Sequence, residues 1–181
     1  MQTKNLELVK KIHMVLMGLG LIANSVALIS DISSPNTHHA MIIISVVHMF
    51  VLAAGLYYLA LGYEKDSAVF YRAFLILYAI SNTVRLVYFM FRHSGFIPIA
   101  ATTVTIIVVL VLLFVKDLGK QISWIAYGIL IVAELLLLPS FLKAGTSATL
   151  LISKLSDLLI AGTLGLMING KYLDKDARGT E

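Results

Sequence analysis

Cysteine is missing from this chain of 181 residues, and charged residues are scarce. Without cysteine the protein has no disulfide, no thiolate metal site, no thiol nucleophile and no paired-cysteine redox chemistry. Charged residues make up only 13% of the chain and hydrophobic residues 59%, whereas an average globular domain is about 25% charged and about 45–50% apolar. A soluble fold could not bury so much apolar surface, so the composition predicts an integral membrane protein.

Sequence motifs of catalysis and of ion selectivity are also missing. The chain has no G-x-S-x-G elbow, no H-E-x-x-H pair, no glycine-rich phosphate loop and no dense acidic cluster, which are the usual marks of hydrolases and nucleotide enzymes. A T-V-G-Y-G filter of the potassium-channel kind is absent as well. An enzyme that acts on lipids within the membrane is therefore only the third interpretation of the sequence.

Long apolar runs are what the sequence does contain, and they predict an all-α bundle of six transmembrane helices in a single domain. Each run is close to the length that crosses a hydrocarbon core of about 30 Å. The runs cover residues 12–30, 40–62, 69–91, 97–115, 122–142 and 150–168. The segments between them are short and polar, so successive helices are expected to be antiparallel. Residues 169–181 are polar and of mixed charge, and we interpret them as a short cytoplasmic tail.

The basic residues are distributed unequally over the two predicted sides of the membrane. The side that holds both termini carries Lys4, Lys10, Lys11, Lys65, Arg72, Lys116, Lys120, Lys171, Lys175 and Arg178. The opposite side carries Arg92 and Lys143. Because basic loops stay in the cytoplasm, this asymmetry predicts that both termini are cytoplasmic, in what we expect to be a prokaryotic plasma membrane. The basic residues form no nucleic-acid patch, so the bilayer is the expected anionic partner.

Four charged residues fall within the predicted spans, where each charge costs several kilocalories unless it is paired or functional. Arg85 lies in the third helix, Glu134 in the fifth, and Lys154 and Asp157 in the sixth. Their formal charges sum to zero. Lys154 and Asp157 stand three residues apart on one helical face and are expected to pair. Arg85 and Glu134 are then the expected pair between the third and fifth helices.

Polar side chains are concentrated in the outer half of the predicted bundle, above an almost wholly apolar inner half. This distribution predicts a polar cavity in which a binding or transport protein holds a small molecule of unidentified chemistry. The predicted ligand-binding residues are Asn24, His48, Asn82, Arg85, Glu134, Lys154 and Asp157. The alternative is an accessory or assembly subunit whose polar groups only hold helices together, through hydrogen bonds that average below about 1 kcal/mol in membranes.

Histidine is the remaining candidate metal ligand. His38, His39, His48 and His93 all lie on or toward the outer side. Imidazole is a common metal ligand, but the spacing is not diagnostic and no acidic residue lies in register. Neither a metal nor another cofactor is predicted. His13 lies at the inner boundary of the first helix, where an interfacial position is expected.

Small groups recur every four residues on the sixth predicted helix, at Ser153, Asp157, Ala161 and Gly165. Such a stripe lets helices approach closely. Tight packing within this chain is the favoured interpretation of the stripe. Docking with another membrane subunit is the alternative.

The layout as a whole resembles the S components, which are the substrate-binding membrane subunits of energy-coupling factor vitamin transporters. Those chains have similar length, six helices, cytoplasmic termini and a ligand site in the outer half. They dock through small residues of an inner helix surface to a partner that supplies ATP-driven motion. Gly18, Gly20 and Ala23 of the first helix are loosely similar to such a docking stripe. The resemblance implies a substrate-binding subunit with a membrane-protein partner; a homo-oligomer is the other possible assembly.

Overall fold

The computed structural model describes the backbone of residues 2–33, 39–62, 67–92, 94–115, 118–143 and 148–178. Side chains are described within 7–33, 42–60, 69–92, 94–115, 118–139, at 152 and within 154–169. In these ranges the chain is helical, and no strand occurs among the described residues. The predicted all-α fold is thus confirmed.

The described residues form six helices that follow one another along the chain, as predicted. They are α1 (Gln2–Ser33), α2 (His39–Tyr57), α3 (Ser67–Phe91), α4 (Phe96–Phe114), α5 (Lys120–Lys143) and α6 (Ala148–Arg178). A π-helical segment, Tyr58–Gly62, directly continues α2. The helices α2 to α5 agree with the apolar runs to within a few residues.

The first and last helices extend well past the apolar runs that predicted them. Helix α1 begins at Gln2, and α6 continues to Arg178, through most of the predicted tail. The added residues include leucine, lysine and glutamine, which favour helix. Hydrophobicity marks only the part of a helix that lies in lipid, so it underestimates helices that extend into water.

Five of the helices are long and apolar enough to cross a membrane. The qualifying segments are Glu7–Ser33, Ile42–Ala60, Val69–Phe91, Phe96–Phe114 and Lys120–Pro139, with mean hydropathies between 1.6 and 2.7. At most 44% of each span's most apolar window is buried inside the bundle. The apolar side chains that face outward suit contact with lipid, as in an integral membrane protein. The described part of α6, which contains Lys154 and Asp157, is not among the five.

The helices form a closed ring in which each helix packs against its neighbours in sequence. Helix α6 closes the ring by packing against α1 as well as α5, and α2 also contacts α6 across the interior. Because the connections are short, consecutive helices run antiparallel and the two termini share one end of the bundle. We call this end the terminal side, and the end with the α1–α2, α3–α4 and α5–α6 connections the opposite side.

The interior of the ring is layered. A large apolar core toward the terminal side contains Phe74, Leu75, Val109, Leu130 and Leu164 among others. A smaller apolar cluster toward the opposite side contains Phe89, Ala101, Ala133 and Leu137. Between these two clusters along α3 lie the buried polar residues of the middle layer. The predicted concentration of charge away from the terminal side is therefore present in the fold.

The small residues of α6 face the inside of the bundle. Asp157, Ala161 and Gly165 are buried, whereas the Ser153 side chain lies outside the described residues. A Cβ atom at Gly165 would lie 2.8 Å from the Tyr127 Oη atom, and one at Gly162 would lie 2.7 Å from the His13 Cε1 atom. The stripe thus permits tight packing within this chain, as the favoured interpretation proposed.

Candidate functional site

Asp157 of α6 is the centre of a buried ion-pair network. Its Oδ1 atom accepts a hydrogen bond of 2.6 Å from Arg85 Nη2, and His48 Nε2 lies 2.7 Å from the same oxygen. Its Oδ2 atom accepts a bond of 3.4 Å from Lys154 Nζ. No side chain in this group is more than 4% exposed. One carboxylate therefore joins cationic or polar groups from α2, α3 and its own helix.

Glu134 of α5 is the second carboxylate of the network. Lys154 Nζ donates to its Oε2 atom at 2.7 Å, and Tyr78 Oη donates to its Oε1 atom at 2.9 Å. Glu134 and Tyr78 are both fully buried. Lys154 contacts both carboxylates, so it links the Glu134 and Asp157 halves into one network.

The predicted ion pairs are correct in one case and wrong in the other. Lys154 and Asp157 do contact each other, as their spacing on one face indicated. The expected pair of Arg85 and Glu134 is wrong, because Arg85 pairs with Asp157 and Glu134 pairs with Lys154. Charge balance alone allows either arrangement. The closure of the ring, which sets α6 against α5 and α2, decides between them.

The network is neutral as a whole when His48 is uncharged. Arg85 and Lys154 supply two positive charges, and Glu134 and Asp157 supply two negative charges. The other ring nitrogen of His48, Nδ1, lies 3.3 Å from Ser81 Oγ. Mutual compensation makes it possible to hold four charges away from water, where an unpaired ion would cost several kcal/mol.

The two asparagines predicted for the site occupy its margins. Asn82 Nδ2 donates to the backbone oxygen of Tyr78 at 2.9 Å, and this bond lies within α3. Asn24 Nδ2 donates to the backbone oxygen of Gly20 at 2.7 Å and also to Ser156 Oγ. Asn24 thus ties α1 to α6 beside Asp157 rather than contacting the charged groups. Five of the seven predicted residues form the network itself.

Four buried polar atoms of α3 and α4 have no hydrogen-bond partner within the described ranges. They are Arg85 Nη1, Asn82 Oδ1, Thr102 Oγ1 and Thr105 Oγ1. Buried polar atoms are normally bonded, so each of these four needs an explanation. They belong to two helices that pack against each other.

A groove with a volume of about 580 Å³ lies between α4 and α5, and it is apolar. Its lining residues are Phe96, Ile97, Ala100, Ala101 and Val104 of α4 and Ile125, Gly128, Ile129, Val132, Ala133 and Leu136 of α5. None of the seven predicted site residues contributes to its wall. The predicted polar residues instead pack against one another and form a layer in the described part of the bundle.

A second polar contact, at residues outside the predicted site, joins α1 to α6. His13 Nε2 lies 2.9 Å from Thr163 Oγ1 and 3.1 Å from the Leu159 backbone oxygen. His13 is thus half-buried between α1 and α6. Ser156, the partner of Asn24, and Thr163, the partner of His13, stand seven residues apart on one face of α6. This spacing is the sequence feature that could have predicted a polar contact between α1 and α6.

Of the four histidines considered as metal ligands, only His48 has a side chain in the described part of the structure. The side chains of His38, His39 and His93 lie outside the described residues, and His48 is held by Asp157 and Ser81. Within the described part of the chain, no group of three or more histidine, aspartate or glutamate residues is arranged to hold a metal ion.

Comparison of the chain with protein-family models, with curated proteins and with solved structures finds no match. The class of protein therefore rests on its architecture. It is a small helical bundle of the polytopic membrane type, with a layer of paired charges in its interior.

Proposed function

We propose that this protein binds or transports a small molecule in the membrane, and that the charged layer around Asp157 is its recognition site. The observation that carries the proposal is the network of Arg85, Glu134, Lys154 and Asp157, all of them at least 96% buried. In measured cases, replacement of a buried ion pair by apolar residues is often neutral or stabilising. A chain gains little stability from such charges, which favours a role for them in recognition.

The orientation of the site follows from the charge asymmetry of the loops. We propose that α6 completes six spans and that both termini lie in the cytoplasm. Asp157 is then closer to the outer surface, and the large apolar core closes the cytoplasmic side. A prokaryotic plasma membrane suits this arrangement, since the layout is similar to that of the S components.

A membrane-protein partner is part of the same proposal. The stripe on α6 is used inside the bundle, so a partner has to use another surface. A Cβ atom at Gly18 of α1 would meet no heavy atom within 4 Å, which leaves room for a close neighbour. We propose that the partner docks on this part of α1.

The decisive variant is Glu134→Gln, which keeps the shape of the side chain and removes its charge. We expect the fold to persist and the affinity for the molecule that copurifies with the protein to fall about 10–100-fold, as for loss of a charged hydrogen bond of about 1.5–3 kcal/mol. Arg85→Ala should abolish binding. Mass spectrometry of copurifying small molecules identifies the ligand, and isothermal titration measures its affinity.

The control for these variants is Thr83→Val. Thr83 is exposed on α3, and its hydroxyl donates to the Ala79 backbone oxygen in its own helix. Thr83→Val should leave binding unchanged. Unchanged affinity in both Glu134→Gln and Arg85→Ala, with folded protein in each case, would refute the proposal.

A second function, an accessory or assembly subunit, is favoured by a different observation. Each of the four charges has a partner inside the chain, so the network also suffices to hold the helices in register. Purification of a native complex that contains this chain and retains no small molecule would favour the accessory role.

A further inference from the structure

We propose that a small uncharged molecule, carrying a hydrogen-bond acceptor and a donor in the same functional group, binds between α3 and α4. Its binding residues are Asn82, Arg85, Thr102 and Thr105. A primary amide has this chemistry. This inference rests on the proposed function, for which it specifies the position of the site and the class of ligand.

The first observation is that four buried polar atoms of α3 and α4 lack a partner in the described part of the chain. Arg85 Nη1, Asn82 Oδ1, Thr102 Oγ1 and Thr105 Oγ1 make no hydrogen bond to the described residues. The four residues are 3%, 1%, 0% and 0% exposed. Leaving such a group unbonded costs about 1–3 kcal/mol. Leaving all four unbonded would therefore be costly, which favours a polar partner that bonds to them.

The second observation is that the four residues match in depth. Helix α3 ends at Phe91 and α4 begins at Phe96. Arg85 and Thr102 each lie six residues from those ends, and Asn82 and Thr105 each lie nine residues from them. At about 1.5 Å per residue, the two pairs lie about 9 Å and about 13.5 Å from the α3–α4 connection. The unbonded atoms are thus arranged in two levels on adjacent helices.

The third observation is that two other threonines nearby, Thr83 and Thr103, donate their hydroxyls to the backbone of their own helix. Thr103 Oγ1 donates to the Ile99 backbone oxygen at 2.8 Å, and Thr83 Oγ1 donates to the Ala79 oxygen at 2.8 Å. This bond to the residue four positions earlier is the usual solution for a threonine within a helix. Thr102 and Thr105 do not use it, so their hydroxyls remain available.

The class of ligand follows from charge and from hydrogen-bond direction. Because the ion-pair network sums to zero when His48 is uncharged, an additional ion would be uncompensated in the buried interior. Arg85 Nη1 can only donate, and Asn82 Oδ1 can only accept. A neutral amide matches both: its oxygen accepts from Arg85 and its N–H donates to Asn82. The two hydroxyls can serve either role.

Thermal melting of the full chain in detergent, with acetamide as the probe, tests this inference. Acetamide should raise the melting temperature of the wild-type protein, because a ligand that binds only the folded state stabilises it by mass action. The increase should be lost in the double variant Thr102→Val, Thr105→Val and retained in Thr103→Val, the matched control. Acetate and N,N-dimethylacetamide are the negative controls, and the second of them lacks an N–H donor. With either compound, any shift in melting temperature should be the same in the wild-type protein, the double variant and Thr103→Val.

Other outcomes would overturn the inference. If acetate stabilises the protein and acetamide does not, the site is for anions. If the double variant melts at a higher temperature than wild type and acetamide has no effect, the hydroxyls are simply unbonded. If a density map recorded with acetamide contains ordered water only, no ligand site exists there. If the natural copurifying molecule depends on Glu134 but not on Thr102 or Thr105, the proposed function stands and this inference fails.

Discussion

At the scale of single residues, Asp157 is the group on which the interior depends. Its carboxylate contacts Arg85, His48 and Lys154, whereas Glu134 is held by Lys154 and Tyr78. Removal of one member of a buried ion pair costs far more than removal of both, because it leaves an uncompensated charge in a low dielectric. The stability of the protein should therefore respond sharply to single changes at Asp157.

We expect Asp157→Asn to lower the free energy of unfolding by about 3–5 kcal/mol, the cost of breaking one buried ion pair. The paired change Arg85→Met with Asp157→Leu should cost less than the sum of the two single changes, because it removes both charges together. Denaturant unfolding in detergent micelles measures both quantities. Arg72→Ala, at an exposed position of α3, is the control and should lie within about 0.5 kcal/mol of wild type. Additive effects at Arg85 and Asp157 would mean that the pair is not coupled in the folded protein.

At the scale of helices, the contact of α1 with α6 depends on the absence of side chains on α6. The His13 ring lies against Gly162 and also contacts Thr163 and the Leu159 carbonyl. The neighbouring α5 uses Gly165 in the same way, through Tyr127. Close approach of helices matters in membranes, where van der Waals packing takes over much of the role of the hydrophobic effect.

We expect Gly162→Ala to destabilise the protein by about 1–3 kcal/mol, because the new methyl group would lie 2.7 Å from the His13 Cε1 atom. The loss should be smaller in a His13→Ala background, since the clashing ring is then gone. Gly128→Ala is the matched control: a Cβ atom there has nothing within 4 Å. It should leave stability unchanged or raise it by up to about 1 kcal/mol through helix propensity. Melting curves of Gly162→Ala, His13→Ala, the double variant and Gly128→Ala measure these changes in stability. Equal effects at Gly162 and Gly128 would contradict the packing argument.

At the scale of the whole molecule, the ring of helices separates a large apolar core from a charged layer. The terminal side contains the larger apolar cluster, and the buried charges lie nearer the opposite side. If the termini are cytoplasmic, the proposed recognition site lies nearer the outer surface. The functional proposal and the orientation of the chain are therefore linked.

The orientation can be measured directly because the chain contains no native cysteine. Gly95, in the α3–α4 connection, and Gly119, in the α4–α5 connection, are exposed and have open space around a Cβ position. We expect a membrane-impermeant maleimide to label Gly95→Cys in intact cells. Gly119→Cys should be labelled only after permeabilisation. Gly128→Cys, within a predicted span, should resist the reagent in both conditions and is the control.

The reverse labelling pattern, with Gly119→Cys reactive in intact cells, would place both termini outside. The charged layer would then lie in the cytoplasmic half. Binding from outside would need to be abandoned along with the orientation.

Taken by itself, the sequence determined the parts of this protein that depend on short stretches of chain. The helices α2 to α5 follow from apolar runs of the length of a bilayer, because each backbone amide in lipid must bond within its own helix. The placement of Arg85, Glu134, Lys154 and Asp157 in the interior followed in the same way, since isolated charges are too costly to face lipid. Five of the seven predicted site residues do meet in one network for this reason.

The tertiary structure alone decided which of these groups touch. The partners of Arg85, the two-sided contact of Lys154 and the position of Asn24 beside Ser156 depend on how α6 closes the ring against α1 and α5. They depend on how each helix is rotated about its own axis relative to helices that lie far apart in sequence. Charge balance and helical spacing carry no information about that rotation. The same closure brings the polar side chains together in one layer, where buried polar atoms of α3 and α4 are left without a partner among the described residues.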